Sequence, residues 1–234
     1  MPNTSKKPIL NRLLSRLPAA DFALLQPDLK AIDAPLRKSL EVRNRPIEHI
    51  YFLESGFASV VANGNGQGIE VGLIGREGMS GTAVVLGANR TPHDTFMQGA
   101  GAGWRISTEQ FRKALSRSPG LREVGLLYAQ TFAVQMSYTA IANGRGKLEE
   151  RLARWLLMAH DRSDNDRLLL TQEFLAQMLS VRRAGVTVAI GLLAKTGTIH
   201  VHRGAIDIVD RTGLEEESNG TYGVPEAEYE RLLG

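Results

Sequence analysis

The chain has 234 residues, which is more than a typical single domain, so we expect two domains joined by a connecting element. Its 43 % hydrophobic and 23 % charged residues and its formal net charge of +3 are typical of a globular protein, not of a disordered one. The absence of cysteine excludes disulfides, thiolate zinc sites and cysteine-ligated iron–sulfur clusters.

Neither the N-terminus nor the uncharged segment of residues 124–144 predicts export or membrane insertion. Residues 1–7 are polar and no apolar stretch follows them, which argues against a secretory signal. Residues 124–144 carry no formal charge, but Gln130, Gln135 and Asn143 interrupt them at intervals that a lipid-facing helix does not tolerate. We therefore expect a cytoplasmic protein with no membrane partner.

The first half of the chain predicts two short helices followed by a β-rich unit. Leucines at positions 10, 13, 14 and 17 have helical spacing, and Asp21 opens a further apolar turn. From residue 32 to residue 104, short β-rich runs alternate with glycine, which predicts a sandwich or barrel. Residues 63–68 (NGNGQG) predict a hairpin turn between two of these runs, because no Lys and Ser/Thr follow the last glycine as in a phosphate loop.

Helical signals return after the β-rich unit. Ser107 with Gln110 fits a capping box, and Ser118 followed by Pro119 predicts the start of a long helix that ends near residues 143–146 (NGRG). Two sets of side chains in this helix repeat every seven residues and predict either a seam for a second helix or a stripe on the chain's own core. The predicted dimer seam consists of Val124, Leu127, Thr131, Val134, Tyr138 and Ile141.

The C-terminal part predicts a helix-turn-helix. An amphipathic helix over residues 148–160, with Leu152, Trp155, Leu156 and Ala159 on one face, precedes a polar loop. Thr171 is the expected N-cap of a helix over residues 172–179, and a tight turn leads to a second helix over residues 182–194. Phe174 and Met178 are expected to pack against Val186, Ala189, Ile190 and Leu193.

A second helix of this kind reads DNA with polar side chains near its N-terminus. Arg182, Arg183 and Thr187 meet that requirement, and Arg183 is the first candidate for a two-hydrogen-bond contact with guanine. Residues 199–202 and 205–209 predict a hairpin, or wing, with Arg203 at its tip facing a phosphate or solvent. Residues 143–204 hold ten Lys or Arg against six Asp or Glu, which also favours phosphate binding.

Three segments resemble the Crp/Fnr family of transcription regulators. They are residues 51–56 (YFLESG), residues 75–81 (GREGMSG) and residues 170–183 (LTQEFLAQMLSVRR), of which the last is the most specific. The resemblance implies an α+β fold with an N-terminal β-roll of the cyclic-nucleotide-binding type (a double-stranded β-helix), a long dimerisation helix and a C-terminal winged helix-turn-helix. The corresponding ranges are 1–117, 118–144 and 145–234.

The resemblance also implies a homodimer on inverted-repeat operators in double-stranded DNA, with RNA polymerase as a further partner. Thr171 and Gln172 join Arg182, Arg183, Thr187 and Arg203 as the expected DNA-binding residues. By alignment, Ala184 and Val188 stand where cyclic-AMP-binding relatives have a glutamate and an arginine, so we expect a different operator.

The effector site departs from the family pattern as well. Gly81 and Thr82 stand where relatives have the Gly-Glu pair that holds a ribose, whereas Arg90 and Thr91 match the pair that holds a cyclic phosphate, with Ser137 as a further candidate. Loss of the carboxylate argues against cyclic AMP. A different small anionic effector, no effector at all, and a solvated Arg90 remain open, and no cofactor is assigned.

Other functions have less support in the sequence. A cupin-like metal enzyme needs converging histidines, but only His49 and His93 lie in the β-rich unit, and His200 and His202 are expected at the surface of the wing. An effector-binding module that acts on a protein partner is the other alternative, against which Arg182 and Arg183 argue. We expect no enzymatic activity.

Overall fold

The computed structural model of the chain describes residues 8–64 and 67–234. Residues 1–7, and Asn65 and Gly66 of the expected hairpin turn, lie outside the described residues. The two strands that flank this turn are antiparallel neighbours, paired from Ala58 with Ile74 to Gly64 with Gln67.

Two short helices begin the described chain. Helix α1 (Arg12–Arg16) and helix α2 (Ala19–Leu25) are followed by a 3-10 turn over Gln26–Asp28. Asn11 caps α1 by accepting a hydrogen bond from the Leu14 N–H, and its fully buried side-chain amide donates to the carbonyls of Leu53 and Gly78. One asparagine therefore both starts the helix and fixes it to the β-rich unit.

The β-rich unit consists of two antiparallel sheets, as the sequence predicts. Their strand orders are β1-β7-β3 and β2-β6-β4-β5. The seven strands are β1 (Lys30–Ala34), β2 (Ser39–Glu41), β3 (His49–Leu53), β4 (Phe57–Gly64), β5 (Gln67–Ile74), β6 (His93–Gly99) and β7 (Gly101–Ser107). A four-residue helix that the sequence did not predict, α3 (Thr82–Val85), lies between β5 and β6.

Both predicted helix starts after the β-rich unit are confirmed. Helix α4 (Thr108–Arg117) begins where Ser107 accepts from the Gln110 N–H, and helix α5 (Pro119–Arg145) begins where Ser118 accepts from the Leu121 N–H. Gln135 of α5 accepts a 2.7 Å hydrogen bond from the Leu73 N–H of β5. The long helix therefore packs on the four-stranded sheet of its own chain.

The predicted seam of α5 occupies one flank of the helix. Ile141 is 42 % exposed, and Val124, Leu127, Val134 and Tyr138 are half-buried. Thr131 is only 4 % exposed, and its hydroxyl donates to the Tyr128 carbonyl. The structure therefore corrects the place of Thr131, which faces the core of its own chain and is not available to a second helix.

The C-terminal part contains the remaining elements. They are α6 (Leu148–His160), β8 (Arg167–Leu168), α7 (Gln172–Met178), α8 (Arg183–Lys195), β9 (Ile199–His202), β10 (Ala205–Ile208), α9 (Arg211–Glu217) and α10 (Val224–Leu233). Every residue from 152 to 159 is buried, so α6 is central and not one-sided as predicted. Helix α6 is buried on all sides because α8, α9 and the β-rich unit pack against different sides of it.

The last helix packs away from the other C-terminal elements. Tyr229 and Leu233 of α10 belong to the same apolar cluster as Leu13 of α1 and Tyr128 of α5, and the Tyr229 hydroxyl donates to the Glu77 carbonyl. Residues 224–233 therefore share a core with the first half of the chain, which the predicted ranges do not anticipate. Among the described residues, no helix is both long and apolar enough to cross a membrane.

Candidate nucleic-acid interface

The interface is built on the packing of α7 against α8. Thr171 caps α7 by accepting a 3.2 Å hydrogen bond from the Phe174 N–H, as predicted. Ser180, in the turn between the helices, has a φ of +52°, which lets the chain reverse within a few residues. The predicted contact set of Phe174, Met178, Val186, Ala189, Ile190 and Leu193 belongs to a single apolar cluster.

Four of the six predicted DNA-binding residues line one cleft. Thr171, Gln172, Arg183 and Arg203 surround a volume of about 580 Å3 between α7, α8 and the hairpin of β9 and β10. Gln172 Oε1 also accepts a 2.8 Å hydrogen bond from the hydroxyl of Thr187, which connects α7 to α8 at the surface. The structure therefore brings together residues that the sequence places as far as 32 positions apart.

Arg182 and Arg183 present their charge at the beginning of α8. Arg182 is the N-cap residue and Arg183 the first helical residue, and both are exposed. Within residues 8–64 and 67–234, neither guanidinium takes part in an ion pair, and α8 itself contains no acidic residue. Because a helix N-terminus also carries partial positive charge, this end of α8 is suited to a polyanion.

The hairpin matches the predicted wing. Arg203 and Gly204 form its two-residue turn, with Gly204 at a φ of +77°, and the Leu170 N–H donates to the Gly204 carbonyl over 3.0 Å. Asp207 accepts hydrogen bonds of 2.6 and 2.7 Å from Arg167, which hold the pKa of its carboxyl well below the usual range. The wing is thus fixed to the start of α7 while Arg203 stays exposed.

The two histidines of the wing, His200 and His202, contact each other and an acidic side chain. The rings of His200 and His202 lie 4.6 Å apart, and His202 Nε2 is 2.8 Å from the Asp207 carboxylate. Both side chains are exposed. Over the part of the chain that the structure describes, no group of three or more His, Asp or Glu has the arrangement of a metal site.

The predicted effector residues begin at α3. Gly81 is its N-cap residue with a φ of +77°, and its N–H donates a 2.5 Å hydrogen bond to the Glu41 carboxylate. Glu41 is 9 % exposed, and burial raises the pKa of its carboxyl although Gly81, Thr95 and Ser80 donate hydrogen bonds to it. The Gly81 amide, at the position where the family pattern holds a ribose, is therefore already bonded to an acidic side chain of the same chain.

The other predicted effector residues, Arg90, Thr91 and Ser137, differ in their burial and their hydrogen-bond partners. Arg90 is exposed in a bridge to Pro46, whereas the hydroxyl of Thr91 is buried against His93 Nδ1 at 3.0 Å. Ser137 lies on the exposed side of α5 and donates to the Ala133 carbonyl. A cyclic phosphate thus fits these residues poorly, and their assignment to an effector stays a prediction.

Sequence reasoning did not assign a role to the exposed apolar side of α8. Val188 is 64 % exposed and follows Ala184 by one helical turn. The sequence contained a signal for this exposure. The core stripe of α8 occupies the opposite side of the helix and consists of Val186, Ala189, Ile190 and Leu193.

The sequence of the C-terminal part matches a known domain family. Residues 150–217 match the profile of the Crp-like helix-turn-helix domain. A comparison with curated protein sequences finds no match. The domain match covers α6 through α9, including both helices and the wing described above.

Solved structures extend the similarity to most of the chain. A Eubacterium rectale protein assigned to the Crp/Fnr transcriptional regulators has a TM-score of 0.69 at 17 % identity, covering 89 % of this chain and 98 % of that one. FixK2 from Bradyrhizobium japonicum has a TM-score of 0.66 at 13 % identity, covering 80 % and 96 %. The c-di-GMP responsive regulator CLP from Xanthomonas campestris has a TM-score of 0.62 at 16 % identity, covering 82 % and 99 %.

The β-roll, the long helix and the winged helix-turn-helix together define the fold of a Crp/Fnr-type transcription regulator. Residues 150–217 form a Crp-like helix-turn-helix domain, and the chain as a whole has the fold of the Crp/Fnr regulators, in agreement with the resemblance seen in the sequence.

Proposed function

We propose that the protein is a transcription regulator that binds a specific inverted-repeat DNA operator as a homodimer. The main support is the exposed Arg183 at the first turn of α8, beside a cleft that the wing completes with Arg203. Arginine donates two hydrogen bonds to O6 and N7 of guanine, and this contact discriminates between bases by about 1–3 kcal/mol.

The homodimer is supported by the flank of α5. Val134, Tyr138 and Ile141 remain partly or largely exposed in the single chain, although they are apolar or aromatic. A second α5 related by twofold symmetry covers such a flank and places two copies of α8 for two half-sites of one operator. Such a regulator works where the DNA lies, in the cytoplasm, and contact with RNA polymerase is part of this proposal.

Control by a small anionic effector in the β-roll is the less supported part of the proposal. The Glu41 carboxyl next to the Gly81 N–H disfavours an anion at α3 unless the carboxyl binds a proton first. Activity set by the amount of protein agrees better with this arrangement.

The test of DNA binding compares two arginine variants. An operator is selected from random duplex DNA with the unmodified protein, and fluorescence anisotropy measures binding to it and to unrelated DNA. We expect Arg183→Ala to lose most of the preference for the operator and to keep salt-dependent binding to unrelated DNA. Arg231→Ala, which removes an exposed arginine of α10 paired with Glu228, should keep the preference. Equal preference in both variants contradicts the proposal.

A further inference from the structure

The exposed side of α8 carries an apolar strip. Val188 is 64 % exposed and Leu192 is 42 % exposed, and Ala184 is exposed as well. These three residues follow one another at intervals of four, so their side chains lie above one another on the helix. Ala184 and Val188 belong to the two N-terminal turns of α8.

This strip is not part of the chain's own packing. The buried side of α8 consists of Val186, Ala189, Ile190 and Leu193. Ala184 directly follows Arg183, and Val188 directly follows Thr187, so at 100° per residue these four side chains share the outward half of the helix. The apolar side chains therefore face whatever Arg183 and Thr187 face.

The charges on α8 itself are positive. Arg182 and Arg183 precede it, Lys195 follows it, and α8 contains no acidic residue. A surface that combines methyl groups with cations fits the major groove of DNA, whose edges offer guanine acceptors, phosphates and the C5-methyl group of thymine. Thymine is the one standard DNA base with an apolar group on this edge.

We propose that Ala184 and Val188 read thymine methyl groups beside the base that Arg183 contacts. This inference rests on the proposed function and specifies the operator: each half-site contains T·A pairs next to a G·C pair. Leu192 lies one turn further from the N-terminus of α8, where the helix leaves the groove, and is not part of this contact.

Deoxyuridine tests this contact directly, because it lacks only the methyl group of thymine. In the selected operator, each thymine of a half-site is replaced by deoxyuridine in turn, and Kd is measured by anisotropy. Burial of one methyl group contributes about 0.8 kcal/mol, so a contacted position should lose about fourfold in affinity. Replacement of thymines outside the half-sites should leave Kd unchanged.

The variant Val188→Ala tests whether Val188 is the residue that contacts a thymine methyl group. This variant keeps the helix, because Val188 is exposed and alanine favours helices, which circular dichroism verifies. At the thymine that Val188 contacts, we expect the loss caused by deoxyuridine to disappear in Val188→Ala and to persist in the control Leu192→Ala.

The possible outcomes separate this inference from the proposed function. If the selected operator is bound but deoxyuridine costs nothing at any half-site position, the inference is wrong and DNA binding stands. If the loss persists unchanged in Val188→Ala and in Ala184→Gly, another residue reads the methyl group and the assignment is wrong. If no operator can be selected at all, the proposed function itself is wrong.

Discussion

The carboxylate of Glu70 accepts a 2.6 Å hydrogen bond from the indole Nε1–H of Trp155, 85 residues further along the chain. Glu70 belongs to β5 of the β-roll, and Trp155 to α6, the first helix of the part that matches the Crp-like helix-turn-helix domain. The Ser59 hydroxyl donates a second hydrogen bond of 2.5 Å to the same carboxylate, which is 5 % exposed. One buried acid thus connects the two functional parts of the chain.

Glu70 should make the stability of the protein depend on pH. Burial raises the pKa of its carboxyl from 4.5 to about 7. The folded protein therefore binds this proton more readily than the unfolded chain does. The stabilisation is fully present below pH 4.5 and is lost as the pH rises through 7. At about 1.4 kcal/mol per pKa unit, the loss is on the order of 3 kcal/mol.

The variant Glu70→Gln tests this dependence, because its neutral amide still accepts from Trp155. We expect Glu70→Gln to be more stable than the unmodified protein at pH 8 by about 1–3 kcal/mol, and similar to it at pH 5. Urea unfolding at both pH values measures the difference. The exposed variant Glu216→Gln should show no such change between pH 5 and pH 8.

Two glycines should respond in opposite directions to alanine. Gly81 has a φ of +77°, and a Cβ there would come within 2.2 Å of Ile50 Cδ1, so Gly81→Ala should destabilise the fold by about 1–3 kcal/mol. A Cβ at Gly144, in the last turn of α5, meets no atom within 4 Å. Gly144→Ala should therefore be neutral or stabilising by up to about 1 kcal/mol. Thermal unfolding that ranks the two variants the other way contradicts the described conformation of α3.

The flank of α5 predicts how the dimer can be dissociated. Val134→Glu combined with Ile141→Glu should yield monomers in sedimentation velocity, because it places charges in an apolar helix contact. Leu127 is less suitable, since it packs against the core of its own chain. Leu86→Glu, at a 65 % exposed position after α3, should leave the dimer intact. A dimer that persists in the double variant means that the subunits meet elsewhere.

Cyclic AMP should bind poorly, because Thr82 lacks the family's carboxylate and Glu41 occupies the Gly81 N–H. Calorimetry with cyclic AMP at pH 7 is expected to show no binding at micromolar concentrations. Glu41→Gln removes the acidic charge and keeps the shape of the side chain. Its affinity for cyclic AMP therefore separates the effect of the Glu41 charge from that of the missing carboxylate at Thr82. Micromolar binding to the unmodified protein would show that the predicted effector residues work without the carboxylate.

Local sequence signals determined the helix starts and the wing. Ser107, Ser118 and Thr171 cap their helices through amides three residues away, and Gly204 forms its turn with an adjacent residue. Such interactions depend on neighbours in the chain and can therefore be predicted from the sequence. The apolar stripe of α8 was predictable for the same reason, since its period follows from helix geometry.

Tertiary structure alone decided which partners meet over long distances. The contact of Glu41 with Gly81 spans 40 residues and that of Glu70 with Trp155 spans 85. No local sequence pattern predicts either contact. Periodicity showed that Thr131 shares a flank with Val134, but a heptad does not say whether a flank faces a second helix or its own core. Burial depends on what packs around an element, so the inward position of Thr131 and the all-sided burial of α6 follow only from the folded chain.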